Sequence, residues 1–341
     1  MTPETPPAAS LAEIRGILAG LPGPSADARA AAAAREATLT KPPGALGRLE
    51  EISAWMASWQ DRHPPTLRRP RVAVFAGNHG VAARGVSAYP AAVTAQMVRN
   101  FVAGGGAVNQ ICRSVDADLR VYELSLDVPT ADFTVAPAMG DEDCARAMAY
   151  GMMAVEPGVD LIALGEMGIG NTSAAAALCL ALFGGTAMDW TGPGTGVDGT
   201  RLAAKRATVA AGAALHAGAG DGLETLRRLG GFEFAAIAGA IVAARVARVP
   251  VLLDGFTATA AAAALHAVDP GLLGHCQVAH LSAEPAHGRL CAALGKRPLL
   301  DLGMRLGEAS GAALAIGLVR AAIACHTGMA SFAQARVSGP A

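Results

Sequence analysis

From residue 71 onward, short apolar runs end at glycine or a polar turn and are followed by ten or more residues of helical composition. RVAVFAG (71–77), LRVYELSL (119–126), LIAL (161–164), VPVLLDG (249–255) and RPLLDLG (297–303) read as strands. Between and after them, Ala91–Val102, Asp141–Met153, a stretch from about Thr172, Thr200–His216, Phe232–Ala247, Thr257–Val268 and a long C-terminal segment (310–335) read as helices. Apolar strands without clean alternation, separated by helices, predict an α/β fold: a mainly parallel sheet covered on both faces. Before residue 71 the pattern is helical. Residues 1–25 read as a loose Pro- and Ala-rich tail with a short helix at Leu11–Leu18. Ala26–Thr38 and a helix carrying Trp55 and Trp59 follow. Those tryptophans lie four apart on one helix face, which points to core packing. The expected division is a tail (1–25), an N-terminal helical part (26–70), an α/β unit (71–309) and a C-terminal helix (310–341) that pairs with the N-terminal helices.

The organising stretch is Asp160–Leu182. Its strand turns through Gly165, Gly168 and Gly170 into an alanine-rich helix. Unpaired N–H groups at such a helix start, at the carboxyl edge of the sheet, favour an anion. Gly165 and Gly170 fit G-x-x-x-x-G and Thr172 fits the final Ser/Thr of a P-loop, but Asn171 stands where the phosphate-binding lysine belongs. Glu166 inside the turn would repel a phosphate unless it points elsewhere.

The chain has 341 residues, 52% hydrophobic and 16% charged, so a large core is easily filled. Aromatics are 4%, which predicts helices packed through small residues. A net charge of −1 offers no footprint for nucleic acid or an acidic membrane. MTPETPPAAS lacks the basic start and apolar run of a secretory signal, so a cytoplasmic protein is expected. Phe234–Leu253 and Ser310–Phe332 are apolar enough to check as membrane spans. Arg245, Arg248 and Pro250 in one, and Arg320 and His326 in the other, favour buried helices. Six scattered cysteines with no C-x-x-C read as reduced thiols.

Ligands of parallel sheets bind beyond the carboxyl ends of the strands. Gly77–Gly80, Gly165–Thr172, Gly192–Gly196, Asp254–Thr257 and Gly303–Gly311 are the glycine-bearing loops expected there. Glu308 in the last of them is either a surface glutamate at a helix start or a carboxylate in an apolar crevice, where its pKa would rise towards that of a neutral-pH base. Lys205 is either a solvated helix lysine or a cation for the anion. His79 either orients its loop or touches ligand. His275, Cys276, His280, Glu284 and His287 match no zinc spacing, so no metal is expected. Ser173 and Ser282 lack a nucleophile-elbow context.

Taken together, these loops resemble one family, the nicotinate-nucleotide–dimethylbenzimidazole phosphoribosyltransferases of cobalamin synthesis. The matching pieces, in family order from about residue 38 to 330, are TKPPGALGRLE from Thr40, HGVAARGVSAYP from His79 with VTAQMV following, GEMGIGNT from Gly165, GPGTGVD from Gly192, LDGFTA from Leu253, LSAEPAHG from Leu281 and LDLGMRLGEASGAAL from Leu300. GEMGIGNT and the GVSAYP segment are very specific. The resemblance implies transfer of the 5-phosphoribosyl group of nicotinate mononucleotide to 5,6-dimethylbenzimidazole, without cofactor. It implies a Rossmann-like domain with a small helical domain from both chain ends, in a homodimer.

Carried over residue by residue, the resemblance makes Glu308 the general base, with Asp254 a second candidate for a share in proton handling. Ser87, Tyr89, Gln96, Met304 and Leu306 would line the benzimidazole pocket. Gly168, Ile169, Gly170, Asn171 and Thr172, with Gly192, Gly194, Thr195 and Gly196, would seat the phosphate, Lys205 adding charge. Glu166 and Ser282 would face the ribose and nicotinate. Leu126–Phe133 is shorter than in many members, which puts that loop's contacts in question. Two alternatives compete: a non-catalytic binder of benzimidazoles or nicotinate nucleotides, which would survive loss of Glu308, and a P-loop-like nucleotide hydrolase, against which the missing lysine argues.

Overall fold

The computed structural model describes residues 10–338, so residues 1–9 of the expected tail lie outside it. Its centre is a five-stranded parallel sheet: β1 Pro70–Ala76, β2 Asp118–Glu123, β3 Leu161–Met167, β4 Val251–Leu253 and β5 Cys276–Val278, in the order β2-β1-β3-β4-β5. The chain reverses its direction of travel across the sheet between β1 and β3, where open parallel sheets leave a ligand crevice.

The helices before the sheet are α1 Leu11–Leu18, α2 Ala26–Glu36 and α3 Arg48–Gln60; α4 Ala92–Val102 and α5 Ala107–Ser114 link β1 to β2, and α6 Asp141–Met152 leads to β3. After β3 come α7 Asn171–Phe183, α8 Ala187–Trp190, α9 Gly199–Leu215, α10 Gly222–Leu229 and α11 Phe232–Val246. The last are α12 Phe256–Val268, α13 His287–Ala293, α14 Ser310–Gly328 and α15 Phe332–Ala335. Local signals account for several starts. Ser10 and Glu13 form a capping box on α1, and α6 opens with Asp141, Glu142 and Asp143 against the positive end of its dipole.

Successive strand residues point to opposite faces, and here both faces are covered. Ala73 and Phe75 of β1, Ile162 and Leu164 of β3, and Val251 and Leu253 of β4 meet the helices α6, α7, α11 and α12. Val72 and Val74, Leu161 and Ala163, and Leu252 meet α3, α5 and α14. That is why these three runs are apolar throughout, whereas the edge strand β2 is part-exposed and carries Asp118, Arg120 and Glu123. Trp55 and Trp59 are buried in this second layer, as expected. The apolar helix α14 packs Ala312, Ala313, Ile316 and Val319 into the same layer, and Arg320 reaches carbonyls of Leu67, Val115 and Asp116. None of the six cysteines is paired, and burial pushes the Cys112 and Cys276 thiols up to about 12.

Three expectations are corrected. RPLLDLG (297–303) is not a strand: Pro298 has no N–H, and Leu300 makes a single bridge to His280 before the chain turns off towards the crevice. The fifth strand is instead Cys276–Val278, only three residues long and hidden among candidate ligands. The C-terminal helix stops at Gly328 rather than 335. The helices α5, α8, α10 and α13 were not expected at all; each is no longer than eight residues, too short for periodicity to declare itself.

Candidate active site

A crevice of about 280 Å³ opens at the carboxyl ends of the strands. Four of the five predicted loops line it: Glu166–Thr172 after β3, Gly194–Thr195, Gly255–Thr257 after β4, and Arg305–Glu308. Tyr89 closes one side. The fifth loop, Gly77–Gly80, lies behind the crevice, where His79 is buried against Glu233.

Glu308 is placed by backbone strain and close approach. Glu308 and Ala309 both hold the left-handed conformation, at φ 61° and 59°, which costs a residue with a Cβ about 1–2 kcal/mol. The segment crosses β3 so tightly that a Cβ on Gly165 would lie 2.2 Å from the Ala309 nitrogen. A surface position for Glu308 is thereby excluded; the residue is 6% exposed and lines the crevice. Burial, reinforced by the charge of Asp254, lifts its carboxyl to about 7.

Two further carboxylates lie close by. Glu166 accepts from the side-chain amide of Asn171, the first residue of α7, and its other oxygen lies against Gly307. Burial first, then Glu233, Asp254 and Glu308, hold its carboxyl well above the ordinary range. Asp254 does not line the crevice. It is buried behind it, accepts from the Ala312 N–H (2.9 Å) and so holds the start of α14; His280 Nε2 is 3.6 Å away. Burial raises its carboxyl as well.

At the other end the predicted anion seat is built differently from a P-loop. The N–H of Ile169 goes to Thr94, that of Asn171 to Gly168 and that of Ser173 to Gly170 (3.0–3.1 Å). Gly196 donates to Pro193, and Gly194 is directed at Glu284. Some of the backbone donors in this seat are therefore already engaged, while the N–H groups of Gly168, Gly170 and Thr172 have no acceptor among the described residues. Lys205 is 1% exposed, not a solvated helix lysine, and Nζ donates to Thr172 Oγ1 (2.9 Å) and Gly192 O (3.1 Å). With Oγ1 accepting from the ammonium, the Thr172 hydroxyl proton is free to turn towards a ligand. Burial lowers Lys205 to about 8, opposed by Glu284.

The remaining predicted residues divide. Tyr89, Leu306, Gly168, Ile169, Asn171, Thr172, Gly194, Thr195 and Ser282 line the crevice. Ser87 reaches it through Thr195 (2.9 Å between hydroxyls), while Gln96 on α4, Met304, Gly170, Gly192 and Gly196 lie outside its lining. Leu126–Phe133 is tied to the β1 loop, its Leu126 and Thr130 bonded to Asn78. The residues of the tempting metal cluster serve other contacts: His275 bonds Ile241 O, and His287 bonds Thr259 and the Ser282 N–H.

Two charged lining residues were not among the expected substrate-binding residues. Arg305 donates to Gly194 O (3.2 Å) and is the cation that faces the crevice directly. Glu284 is buried with Oε1 unpartnered among the described residues. Both stand inside the quoted motifs, MRLGE and SAEP, which were the available signal.

The chain has clear relatives. A family model described as Phosphoribosyltransferase matches residues 21–337. A protein of Methylocella silvestris named nicotinate-nucleotide–dimethylbenzimidazole phosphoribosyltransferase is 60% identical over 333 residues, 97% of this chain and 98% of its own. One of the same name from Rhizobium etli is 58% identical, covering 96% and 97%. A crystal structure under that name from Thermus thermophilus matches with a TM-score of 0.86 at 40% identity, over 93% of this chain and 100% of that one.

Proposed function

The chain belongs to the nicotinate-nucleotide–dimethylbenzimidazole phosphoribosyltransferase family, and from that premise we propose how its crevice carries out the reaction. The protein is a phosphoribosyltransferase of cobalamin synthesis. It moves the 5-phosphoribosyl group of nicotinate mononucleotide to 5,6-dimethylbenzimidazole, giving nicotinate and α-ribazole 5′-phosphate.

The C1′–N bond breaks with its electron pair left on the nicotinate nitrogen. That nitrogen is cationic at the start, so no acid is needed. A benzimidazole nitrogen attacks C1′ from the opposite face, turning β into α, and the other ring nitrogen gives its proton to Glu308. The observation that carries this reading is the Glu308 carboxyl, buried on the crevice wall and raised to about 7, where a base is half ionised at neutral pH. Tyr89 and Leu306 flank the flat base; Ser87 acts through Thr195. Glu166 and Ser282 face the ribose and nicotinate. Asp254 steadies the α14 start and the charge around Glu308 instead of taking the proton. Thr172, Thr195, Lys205 and Arg305 hold the phosphate. Holding two flat substrates in line supplies much of the remaining acceleration. The reading includes a cytoplasmic homodimer.

The test is a metal-free incubation of the protein with both substrates, followed by mass spectrometry, with Glu308→Gln alongside. Product from wild type and far less from the variant is expected. Equal product from both proteins would move the base elsewhere. Tight binding without product from wild type would leave a non-catalytic binder.

A further inference from the structure

Behind the crevice the fold buries a hydrogen-bonded histidine–glutamate pair that takes no part in the bond changes. His79 follows the carboxyl end of β1 and Glu233 opens α11; their side chains are 1% and 0% exposed, and His79 Nε2 bonds Glu233 Oε1. Removing ionisable groups from water this completely is expensive, and such pairs add little net stability over apolar packing. Their use is better sought in what they hold.

Three loops close on the pair. A Cβ added at Gly77 would lie 2.7 Å from Glu233 Oε2, one at Gly168 2.8 Å from Oε1, and one at Gly231 2.4 Å from His79 Cε1. Gly170 is next, at 3.4 Å from His79 Cβ. Gly168 and Gly170 belong to the turn that delivers Asn171 and Thr172 to the crevice. The turn thus faces the ligand in front and rests on the imidazole and carboxylate behind. His79 Nδ1 and Glu233 Oε2 have no hydrogen-bond partner among the described residues, so the mutual bond, the surrounding glycines and the edge-on Phe234 ring fix the pair.

We propose that His79 and Glu233 are positioning residues for nucleotide binding, their bonded pair setting the height of the Gly168–Thr172 turn against the ribosyl phosphate. The inference rests on the crevice being the nicotinate mononucleotide site. The pair acts from behind, so its loss weakens nucleotide binding and leaves the benzimidazole wall of Tyr89 and Leu306 in place. After burial, the charge of Glu233 is also the main influence keeping the Glu166 carboxyl high, a second route from the pair to the same loop.

Calorimetric titration with nicotinate mononucleotide alone, and separately with dimethylbenzimidazole alone, tests this on wild type, H79A, H79Q and E233Q. H79A should bind the nucleotide at least about fivefold more weakly with unchanged affinity for the base, the loss of one buried hydrogen bond to a charged group. H79Q, whose amide can still donate to Glu233, should recover most of that loss. Equal affinities in H79A and wild type, an equal deficit in H79Q, or a parallel loss for both ligands would overturn the inference. Should H79A fail to fold, E233Q decides: it keeps an acceptor but not the charge, and unchanged nucleotide affinity would overturn the proposal. A wild type that binds no nucleotide would overturn the functional reading and this inference with it.

Discussion

At one end of the crevice Glu166, Asp254 and Glu308 are buried within reach of one another's charge; at the other, Lys205 is buried against a hydroxyl and a carbonyl with Arg305 in front. Both ends hold ionisable groups in low dielectric, but they treat them differently. Burial raises all three carboxyls and like-charged neighbours add to it at Glu166 and Glu308, so their protons are held more tightly and Glu308 titrates near neutrality. The lysine loses affinity for its proton through burial alone, while its oxygen partners and Glu284 favour the charged form. A reaction that develops positive charge at C1′ and carries a phosphate at C5′ needs that polarity along one line. The contrast teaches that the site is organised by charge along the substrate, with the unpaired N–H groups of Gly168, Gly170 and Thr172 adding to its cationic end.

The acidic end can be broken most severely. Glu308→Gln should cut turnover by about 10²- to 10⁴-fold, the usual worth of a general base, read in a steady-state assay. The same change should raise thermal stability at pH 8. There the carboxylate is ionised in both folded and unfolded states, and a folded pKa of about 7 against 4.5 means the fold disfavours it, by on the order of 1–3 kcal/mol. That gain should shrink as pH falls from 7 towards 4.5 and vanish below, which a melting series checks.

The cationic end comes next. Lys205→Met should weaken nicotinate mononucleotide about 10- to 100-fold, leaving Thr172 and Gly192 without their charged donor. Arg305→Gln, at an exposed position, should cost only about fivefold in KM for the nucleotide. Neither should change the affinity for the base. The smallest effect sharpens the comparison. The pH profile of kcat/KM for the nucleotide should rise through about 7 as Glu308 ionises and fall through about 8 as Lys205 loses its proton. Glu284→Gln removes a charge that stabilises the ammonium, so the alkaline limb should move to lower pH while the acid limb stays.

Much of this was legible beforehand. Strand–glycine–helix units announced the parallel sheet, its covered faces and the edge where a ligand binds, and GEMGIGNT with MRLGE identified the family. Less legible were residues whose role depends on what lies behind them. Glu233 is an ordinary glutamate at a helix start by sequence, and Glu284 looked like a member of a poor metal cluster. Cys276–Val278 was too short to read as a strand. Arg305 stood beside named site residues with nothing in its spacing to distinguish it.

The amino-acid pattern by itself determined that Gly165 and Gly170 bracket a turn, that Glu308 follows a glycine into a helix, and that Trp55 and Trp59 belong to the core. These follow from local sterics and periodicity, which act over a few residues. Only the tertiary structure decided that Glu308 is buried and Asp254 stands behind it, that Lys205 lies beneath Thr172 instead of in solvent, and that the Ile169 N–H of the glycine turn is already taken by Thr94. Those outcomes depend on desolvation and on contacts between residues far apart in the chain, such as Gly165 against Ala309 and Gly168 against Glu233. Spacing along a sequence carries no record of the dielectric around a side chain; packing alone creates it.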